Sequence, residues 1–242
     1  MEDARYVIVN GDDFGLSRSV NLGLTEAHER GIVTSASLMV DRPASAEAAA
    51  YAREHPRLGV GLHVELQAWQ VSRLPRKGSA RSAAALEQRT AAELDRQLKR
   101  FRSLVDRDPS HLDSHQHRHL RDVVRPLFEE QARALGVPLR RLDPRVRFVG
   151  DFYGHDGRGR PDTDAISPGS LIALLQGIDV GVTELGCHPG YAADLDDWYR
   201  MERELEVETL CDPAVRAAVR ELEIHLCTFD DVRPVPLEGA GR

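Results

Sequence analysis

The sequence lacks the features that define several large classes of protein. Its 242 residues include three cysteines, an odd number whose spacing matches no zinc-finger pattern, so a disulfide framework is not expected. No stretch approaches the roughly 20 apolar residues that a membrane span needs. The first ten residues place two acids before a short apolar run, unlike the basic start of a signal peptide. We therefore expect a cytoplasmic protein without a membrane span.

Positive charge and aromatic residues are also scarce. The 32 Lys and Arg residues are outnumbered by 39 Asp and Glu residues, and the resulting net charge of -7 argues against a nucleic-acid partner. Aromatic residues make up only 5% of the chain, but hydrophobic residues reach 41%, which is enough for a folded core. The first apolar run is not followed by the Gly-x-Gly-x-x-Gly pattern, which disfavours a dinucleotide-binding sheet.

Short apolar runs alternate with helical patterns along the whole chain. Such alternation is typical of βαβ units, which build a parallel sheet. About seven units fit the length, so the predicted fold class is α/β, with a closed or nearly closed barrel of about seven parallel strands. The predicted strands cover residues 6–10, 32–40, 58–66, 111–115, 137–140, 182–188 and 223–229.

Two stretches interrupt this alternation. Residues 67–90 are polar and basic, and residues 150–169 are rich in Gly, Asp and Pro. Loops of this length are often functional, and both follow predicted strands, which places them on the catalytic face of a barrel. No repeat or linker divides the chain. Residues 1–242 are therefore predicted to form one domain with insertions near 67–90 and 150–169, the first of which we expect to influence substrate preference.

The most distinctive motif is H-L-D-S-H-Q-H-R-H at residues 111–119. It places His111, Asp113, His115, His117 and His119 at every second position, and alternate side chains of a strand share one face. The strand should end by His117, so we expect the first three or four of these side chains to converge. Imidazole is a common ligand of zinc and other first-row metals. The motif predicts a metal or catalytic site, with a solvated polar turn as the alternative.

Polar residues also stand at the ends of three other predicted strands. Asp12 and Asp13 follow the first strand, where an Asx-turn or a helix cap is the alternative role. His63 ends the third strand, and His188 ends the sixth before a Pro-Gly turn. The neighbouring Cys187 is better interpreted as a small buried strand residue than as a nucleophile. Together with the histidine motif, these groups predict a metal with open coordination positions, as a hydrolytic centre needs.

Five segments resemble, in order, the motifs of the YdjC-like carbohydrate deacetylase family, which includes chitooligosaccharide deacetylases and a hopanoid-biosynthesis branch. They are N-G-D-D-F-G-L-S, G-I-V-T-S-A-S-L-M-V, G-V-G-L-H-V-E-L, H-L-D-S-H-Q-H-R-H and E-L-G-C-H-P-G. The resemblance covers nearly the whole chain. It implies a distorted, TIM-barrel-like (β/α) barrel and the metal-dependent removal of an acetyl group from an N-acetylated sugar.

The resemblance also implies a role for each matching residue. Asp13, His63 and His115 would hold one divalent metal ion, zinc or magnesium, and the ligand types also suit other first-row metals. Asp12 matches the proposed base and His188 the proposed acid. The resulting hypothesis is amide hydrolysis, in which Asp12 takes a proton from water and His188 gives one to the leaving amine.

Residues that would contact the substrate are less distinctive. Arg140, at the end of a predicted strand, would orient Asp12, bind substrate or form a structural ion pair. Trp69, Tyr153 and Tyr191 would stack on a sugar ring, with ordinary packing as the alternative. Two other functions stay open: a metal-dependent phosphoesterase, and a metal-dependent sugar-binding protein without catalysis. The sequence does not decide the oligomeric state, because a homo-oligomer formed through a flat barrel flank would leave no signature.

Overall fold

The computed structural model describes residues 4–67, 80–156, 158–196 and 198–232. Within these ranges one curled sheet contains seven strands, and every pair of neighbouring strands is parallel. The strands are β1 (Arg5–Phe14), β2 (Ser35–Leu38), β3 (Gly59–Val64), β4 (Leu112–Ser114), β5 (Val146–Val149), β6 (Gly181–Cys187) and β7 (Ile224–Leu226).

The order of hydrogen-bonded strands is β4-β3-β2-β1-β6-β5, and β7 also pairs with β1. Helices connect the strands, and several begin at a side-chain cap, as α1 does at Ser17. Those that the structure describes are α1 (Arg18–Glu29), α2 (Ser45–Glu54), α3 (Ala80–Val105), α4 (Arg125–Leu135), α5 (Pro168–Gln176), α6 (Met201–Leu210) and α7 (Pro213–Glu221).

The central strand β1 explains why the core forms where it does. Val7, Ile8 and Val9 are fully buried, as expected for a parallel strand that is covered on both faces. The neighbouring strands approach closely where small residues allow it. A Cβ atom on Gly61 would lie 2.4 Å from the His111 ring, so only glycine fits beside this buried imidazole.

The predicted α/β fold class and the barrel of about seven parallel strands are confirmed, but among the described residues β4 and β5 do not pair, which leaves the barrel open between them. The prediction of a strand at residues 137–140 is wrong. Leu139 makes only an isolated bridge to Leu112, because the chain turns at once and Arg141 adopts a left-handed φ of 64°. The fifth strand begins later, at Val146.

The two irregular stretches, residues 67–90 and 150–169, differ in how much regular secondary structure they contain. Helix α3 begins at Ala80, so the first stretch is helical from residue 80 onward, and residues 68–79, which include Trp69, lie outside the described residues. The described part of the second stretch contains an isolated antiparallel bridge between His155 and Pro161 and a 3₁₀ turn, Thr163–Ile166, before α5 begins at Pro168. None of the helices in the described ranges is long and apolar enough to cross a membrane.

Candidate active site

The carboxyl end of β1 carries the two adjacent carboxylates. Asp12 and Asp13 are 4% and 2% exposed, and both line a cavity of about 710 Å³ at the mouth of the barrel. Successive side chains of a regular strand point to opposite faces. Here the register of β1 against β2 shifts between Gly11 and Phe14, and Asp13 has a left-handed φ of 66°. This irregularity breaks the alternation, so both carboxylates reach the same cavity.

Three of the predicted residues form one compact group of potential ligands. The Oδ1 atom of Asp13 lies 3.1 Å from His115 Nδ1 and 3.5 Å from His63 Nε2. One donor atom from each of the three residues lies within 4.8 Å of the other two. The ends of β1, β3 and β4 therefore bring together an oxygen and two nitrogens with the spacing that one metal ion could bridge.

Asp113 orients one of these imidazoles. It stands opposite His63 in the register of β3 and β4, and its Oδ1 accepts a hydrogen bond of 2.9 Å from His63 Nδ1. This bond leaves His63 Nε2 facing Asp13. A carboxylate that fixes the ring of a ligating histidine in this way is a general feature of metal centres.

The alternating pattern of the histidine motif does not persist in the structure. Strand β4 ends at Ser114, and a 3₁₀ turn, His115–Leu120, follows it. Gln116 and His117 both have left-handed φ values, so the side chains beyond His115 no longer share one strand face. The expectation that the first three or four groups converge is therefore met in part: Asp113 and His115 reach the group of potential ligands, and His117 lines the same cavity as His115.

The remaining histidines of the motif have separate surroundings. His111 is fully buried, bonds to Ser37 and packs on Phe229. His119 is also buried and lies 3.0 Å from the carbonyl oxygen of Arg140. His117 lines the cavity with its ring edge-on to a phenylalanine. Burial lowers the pKa of His117 to about 4, so this ring is neutral at physiological pH.

Arg140 is buried and forms ion pairs with three acidic side chains. It is 1% exposed, and its guanidinium donates to Asp12 Oδ1 at 2.6 Å, to Glu184 Oε1 at 2.5 Å and to Asp113. Of the roles considered for Arg140, this geometry supports orienting Asp12. Its Nε and Nη1 donors point to carboxylates inside the protein, whereas its Nη2 has no hydrogen-bond partner among the described residues, and the residue also borders the cavity.

His188 stands at the end of β6, across the cavity from the imidazole pair. Its Nε2 lies 3.8 Å from Asp12 Oδ2, and 26% of its side chain is exposed. The backbone of His188 is held on both sides by helix α6. Glu206 accepts a hydrogen bond from its backbone N–H, and the Arg203 guanidinium donates to its carbonyl oxygen at 3.4 Å. Arg203 also donates to Asp13 Oδ2 at 2.6 Å, so one helix contacts both sides of the site.

The aromatic side chains predicted to stack on sugar have different outcomes. Tyr153 lines the cavity and is stacked on Tyr199, with ring centroids 4.8 Å apart. The structure does not bring Tyr191 to the cavity, because its hydroxyl donates to Glu26 on α1 at 2.5 Å. Trp69 lies outside the described residues, whereas Trp198, which we did not predict, borders the cavity.

The buried charges shift the pKa values of the carboxyl groups in two directions. Burial favours protonated Asp12 and Asp13, but the nearby guanidinium and imidazole groups outweigh it and hold both pKa values below the usual range. Burial also opposes the charge on His63, but Asp113 and Asp13 raise its pKa well above the usual value. Burial dominates at Glu184, whose pKa rises to about 7.

Burial and neighbouring groups also act in opposite directions on the pKa values of Glu206 and His188, near the end of β6. Burial raises the pKa of Glu206 to about 7, against its hydrogen bonds with Tyr199 and His188. Burial lowers the pKa of His188, although Asp12 and Asp13 act in the opposite direction. The mouth of the barrel thus combines an ionised carboxylate, Asp12, with an imidazole, His188, whose pKa lies below its usual value.

Helix α6 and its surroundings contribute residues that sequence reasoning missed. The segment M-E-R-E-L-E-V-E-T-L resembles a solvated, charged helix, yet three of its charged residues are buried. The only available signal was the i, i+3 spacing of Arg203 and Glu206, which places two opposite charges on one helix face. The missed residues are Glu184, Trp198, Tyr199, Arg203 and Glu206.

The fold and the site together define a (β/α)-barrel protein with a candidate metal centre at the carboxyl ends of its strands. The sequence model of the YdjC-like protein family matches residues 6–221. The chain belongs to the YdjC-like family.

Two relatives match the chain over most of its length. The carbohydrate deacetylase of Geobacillus stearothermophilus is 36% identical, over 93% of this chain and 97% of its own. The chitooligosaccharide deacetylase of Serratia marcescens is 33% identical, over 94% of this chain and 99% of its own.

Solved structures show the same architecture. A protein of Enterococcus faecalis V583, described as a candidate cellobiose-phosphate cleavage protein, superposes with a TM-score of 0.73 and 26% identity, over 96% of this chain and all of its own. A family 4 carbohydrate esterase from Streptomyces lividans shares the fold at a TM-score of 0.56 and 14% identity, over 96% of this chain and 97% of its own.

Proposed function

We propose that the protein is a metal-dependent carbohydrate N-deacetylase, which hydrolyses the acetamide of an N-acetylated sugar or glycoconjugate. One observation carries this proposal: the ligand group Asp13, His63 and His115 lies in the same cavity as Asp12 and His188. The names of the carbohydrate deacetylase and chitooligosaccharide deacetylase relatives support the choice of substrate. The proposed location is the cytoplasm.

The residues of the site fit a divalent cation. Two imidazole nitrogens and one carboxylate oxygen suit zinc and other first-row metals, and magnesium is retained from the family resemblance. The surrounding buried charges also leave room for positive charge. Among the described residues that line or support the site, three carboxylates with lowered pKa values face two guanidinium groups: Asp12, Asp13 and Asp113 against Arg140 and Arg203. A bound divalent ion would polarise the acetyl carbonyl and lower the pKa of a water molecule.

The general base of the proposed reaction is Asp12. Arg140 holds its Oδ1, and its Oδ2 is the atom that faces His188. Because the pKa of Asp12 is lowered, this carboxylate is ionised at neutral pH and can take a proton from the attacking water.

The general acid of the proposed reaction is His188. Breaking the C–N bond requires a proton on the amine nitrogen, which is otherwise a poor leaving group. Burial lowers the pKa of His188, and the nearby Asp12 and Asp13 carboxylates act in the opposite direction, towards the protonated form that an acid needs. The hydrogen bonds from helix α6 to its backbone fix the strand end from which the imidazole projects.

An acetate-release assay tests the proposed function. The purified protein, treated with chelator and then supplied with Zn²⁺ or Mg²⁺, is incubated with N-acetylglucosamine, di- and tri-N-acetylated chitooligosaccharides and a phosphomonoester. We expect acetate release that chelator abolishes and metal restores. Phosphate release without acetate would indicate the phosphoesterase alternative. Metal-dependent sugar binding without either product would indicate a binding protein.

A further inference from the structure

A second cavity adjoins the candidate active site at Trp198. It has a volume of about 600 Å³, and Trp198 lines both this cavity and the one that contains the ligand group. We name the second cavity the outer groove. Its lining consists of Ala192, Ala193, Trp198, Arg200, Met201, Glu202 and Glu204.

The outer groove presents large apolar surfaces to solvent. Trp198 is 65% exposed and Met201 is 64% exposed, and the two are the most exposed large hydrophobic residues among those described. Isolated exposed apolar side chains are common, but two together at the rim of a cavity are typical of a binding surface. The Trp198 ring is supported from below by His155, whose ring centroid lies 4.5 Å away. His155 is in turn held by a 2.9 Å contact with Glu202.

The polar groups of the outer groove favour a neutral, hydroxyl-rich ligand. Arg200 and Glu204 bring one charge of each sign, and the carboxylate of the third charged residue, Glu202, is already engaged by His155 and by the backbone N–H of Arg200, so the groove does not select an anion or a cation. Each of the two side chains uses part of its hydrogen-bonding capacity on the backbone of Ala192. Guanidinium donors and carboxylate acceptors beside an aromatic face are the groups that a pyranose ring needs, because its C–H face stacks and its hydroxyls bond.

We propose that Trp198 and the outer groove form a subsite for a second sugar ring of the substrate. The acetylated ring would lie over the ligand group, and the next ring would stack on Trp198. This inference rests on the proposed function, and it makes Trp198 a specificity-determining residue. Substrates that lack the second ring should not use the contact.

The test compares Trp198→Ala with the wild-type protein on two substrates, N-acetylglucosamine and tri-N-acetylchitotriose. We expect Trp198→Ala to lower kcat/KM for the trisaccharide about tenfold, mainly through KM, since stacking stabilises bound substrate and transition state alike. The monosaccharide value should stay within about twofold. Trp198→Phe should recover most of the loss. Leu22→Ala, which removes another exposed hydrophobic side chain away from the groove, should change neither value.

Three outcomes would overturn the subsite. Equal losses on both substrates would place Trp198 in the chemistry. No loss on either would leave the groove without a ligand. A loss on octyl N-acetylglucosaminide but not on the trisaccharide would assign the groove to an apolar aglycone.

A binding measurement keeps the inference separate from the proposed function. Calorimetry of tri-N-acetylchitotriose with Asp12→Asn, with and without Trp198→Ala, does not require turnover. A loss of binding in the double variant supports the subsite even if no acetate is released in any assay. Unchanged binding overturns the subsite and leaves the proposed function intact.

Discussion

Two adjacent aspartates have different surroundings, which suit each of them to a different proposed role. Asp12 is held by Arg140 and faces His188, whereas Asp13 is held by Arg203 and faces the two imidazoles. Because each carboxylate has its own guanidinium, both remain ionised although they are buried neighbours. The pair can therefore supply a metal ligand and a base at the same time.

Asp12→Asn should separate these roles. The amide keeps the shape of the side chain but cannot accept a proton, so we expect turnover to fall by about 10²–10⁴ while metal content stays at the wild-type level. Acetate release and metal analysis on the same preparation measure both quantities. Near-wild-type turnover would move the base elsewhere, and the buried Asp113 would be the next residue to test.

Sequence reasoning at the residue scale predicted the location of a residue where the chain itself marks the position, and the roles of these residues stay predictions. Asp12, Asp13, His63 and His188 follow apolar runs, and the carboxyl ends of parallel strands meet at one mouth. Tyr191 shows the limit of this reasoning. Its place beside the His188 turn suggested a substrate contact, but a hydrogen bond to Glu26 on another element determines where its ring lies.

At the scale of elements, helix α6 links the two halves of the site. Arg203 and Glu206 lie one turn apart on a buried face, and they contact Asp13 and both backbone polar groups of His188. Tyr199 extends the link, since its hydroxyl donates to Glu206 and accepts from the backbone N–H of Gly154. The helix thus positions the ligand and acid ends of the cavity relative to each other.

Glu206→Gln tests whether this positioning contributes to catalysis. A glutamine can accept one of the two hydrogen bonds, but its amide N–H₂ then faces a second donor, either Tyr199 or the His188 backbone N–H. We expect kcat to fall by about 10- to 100-fold, since small misplacements of an acid are costly, with KM and metal content unchanged. Glu208→Gln on the exposed face of the same helix is the matched control. Equal kcat values for the two variants would show that the contacts are only structural.

The elements also show why part of the site was not predictable. An alternating pattern indicated one strand through the histidine motif, but the ladder that β4 makes with β3 extends only to Ser114. Beyond it, the left-handed residues Gln116 and His117 form a turn. The pattern identified the right segment, but the point where strand pairing ends depends on a partner strand some 50 residues away, and the pattern carries no information about it.

At the scale of the whole molecule, the barrel concentrates buried charge at one mouth. The alternation of apolar runs and helical patterns was sufficient to predict the parallel barrel, because it depends on local periodicity. The opening between β4 and β5 was not predictable, because it depends on how far each strand curls. The buried charges around Arg140 have a cost that should appear in the pH dependence of stability.

The raised pKa of Glu184 predicts a measurable dependence of the protein's thermal stability on pH. Burial raises its folded-state pKa from 4.5 to about 7, so the folded protein binds this proton more tightly than the unfolded chain. The resulting stability is fully present below pH 4.5 and is lost as the pH rises through about 7. Glu184→Gln is neutral at every pH, so its Tm should fall less than that of the wild type between about pH 5 and about pH 8. Parallel Tm curves for the two proteins would contradict the raised pKa.

The central claim is that Asp13, His63 and His115 bind one metal ion on which deacetylation depends. The most direct measurement is metal content together with acetate release in Asp13→Ala, His63→Ala and His115→Ala, with circular dichroism as the control for folding. Because the hydrophobic core lies below the barrel mouth, we expect each variant to fold and to lose metal and activity together. A folded His115→Ala protein with wild-type metal content and wild-type acetate release would contradict the claim.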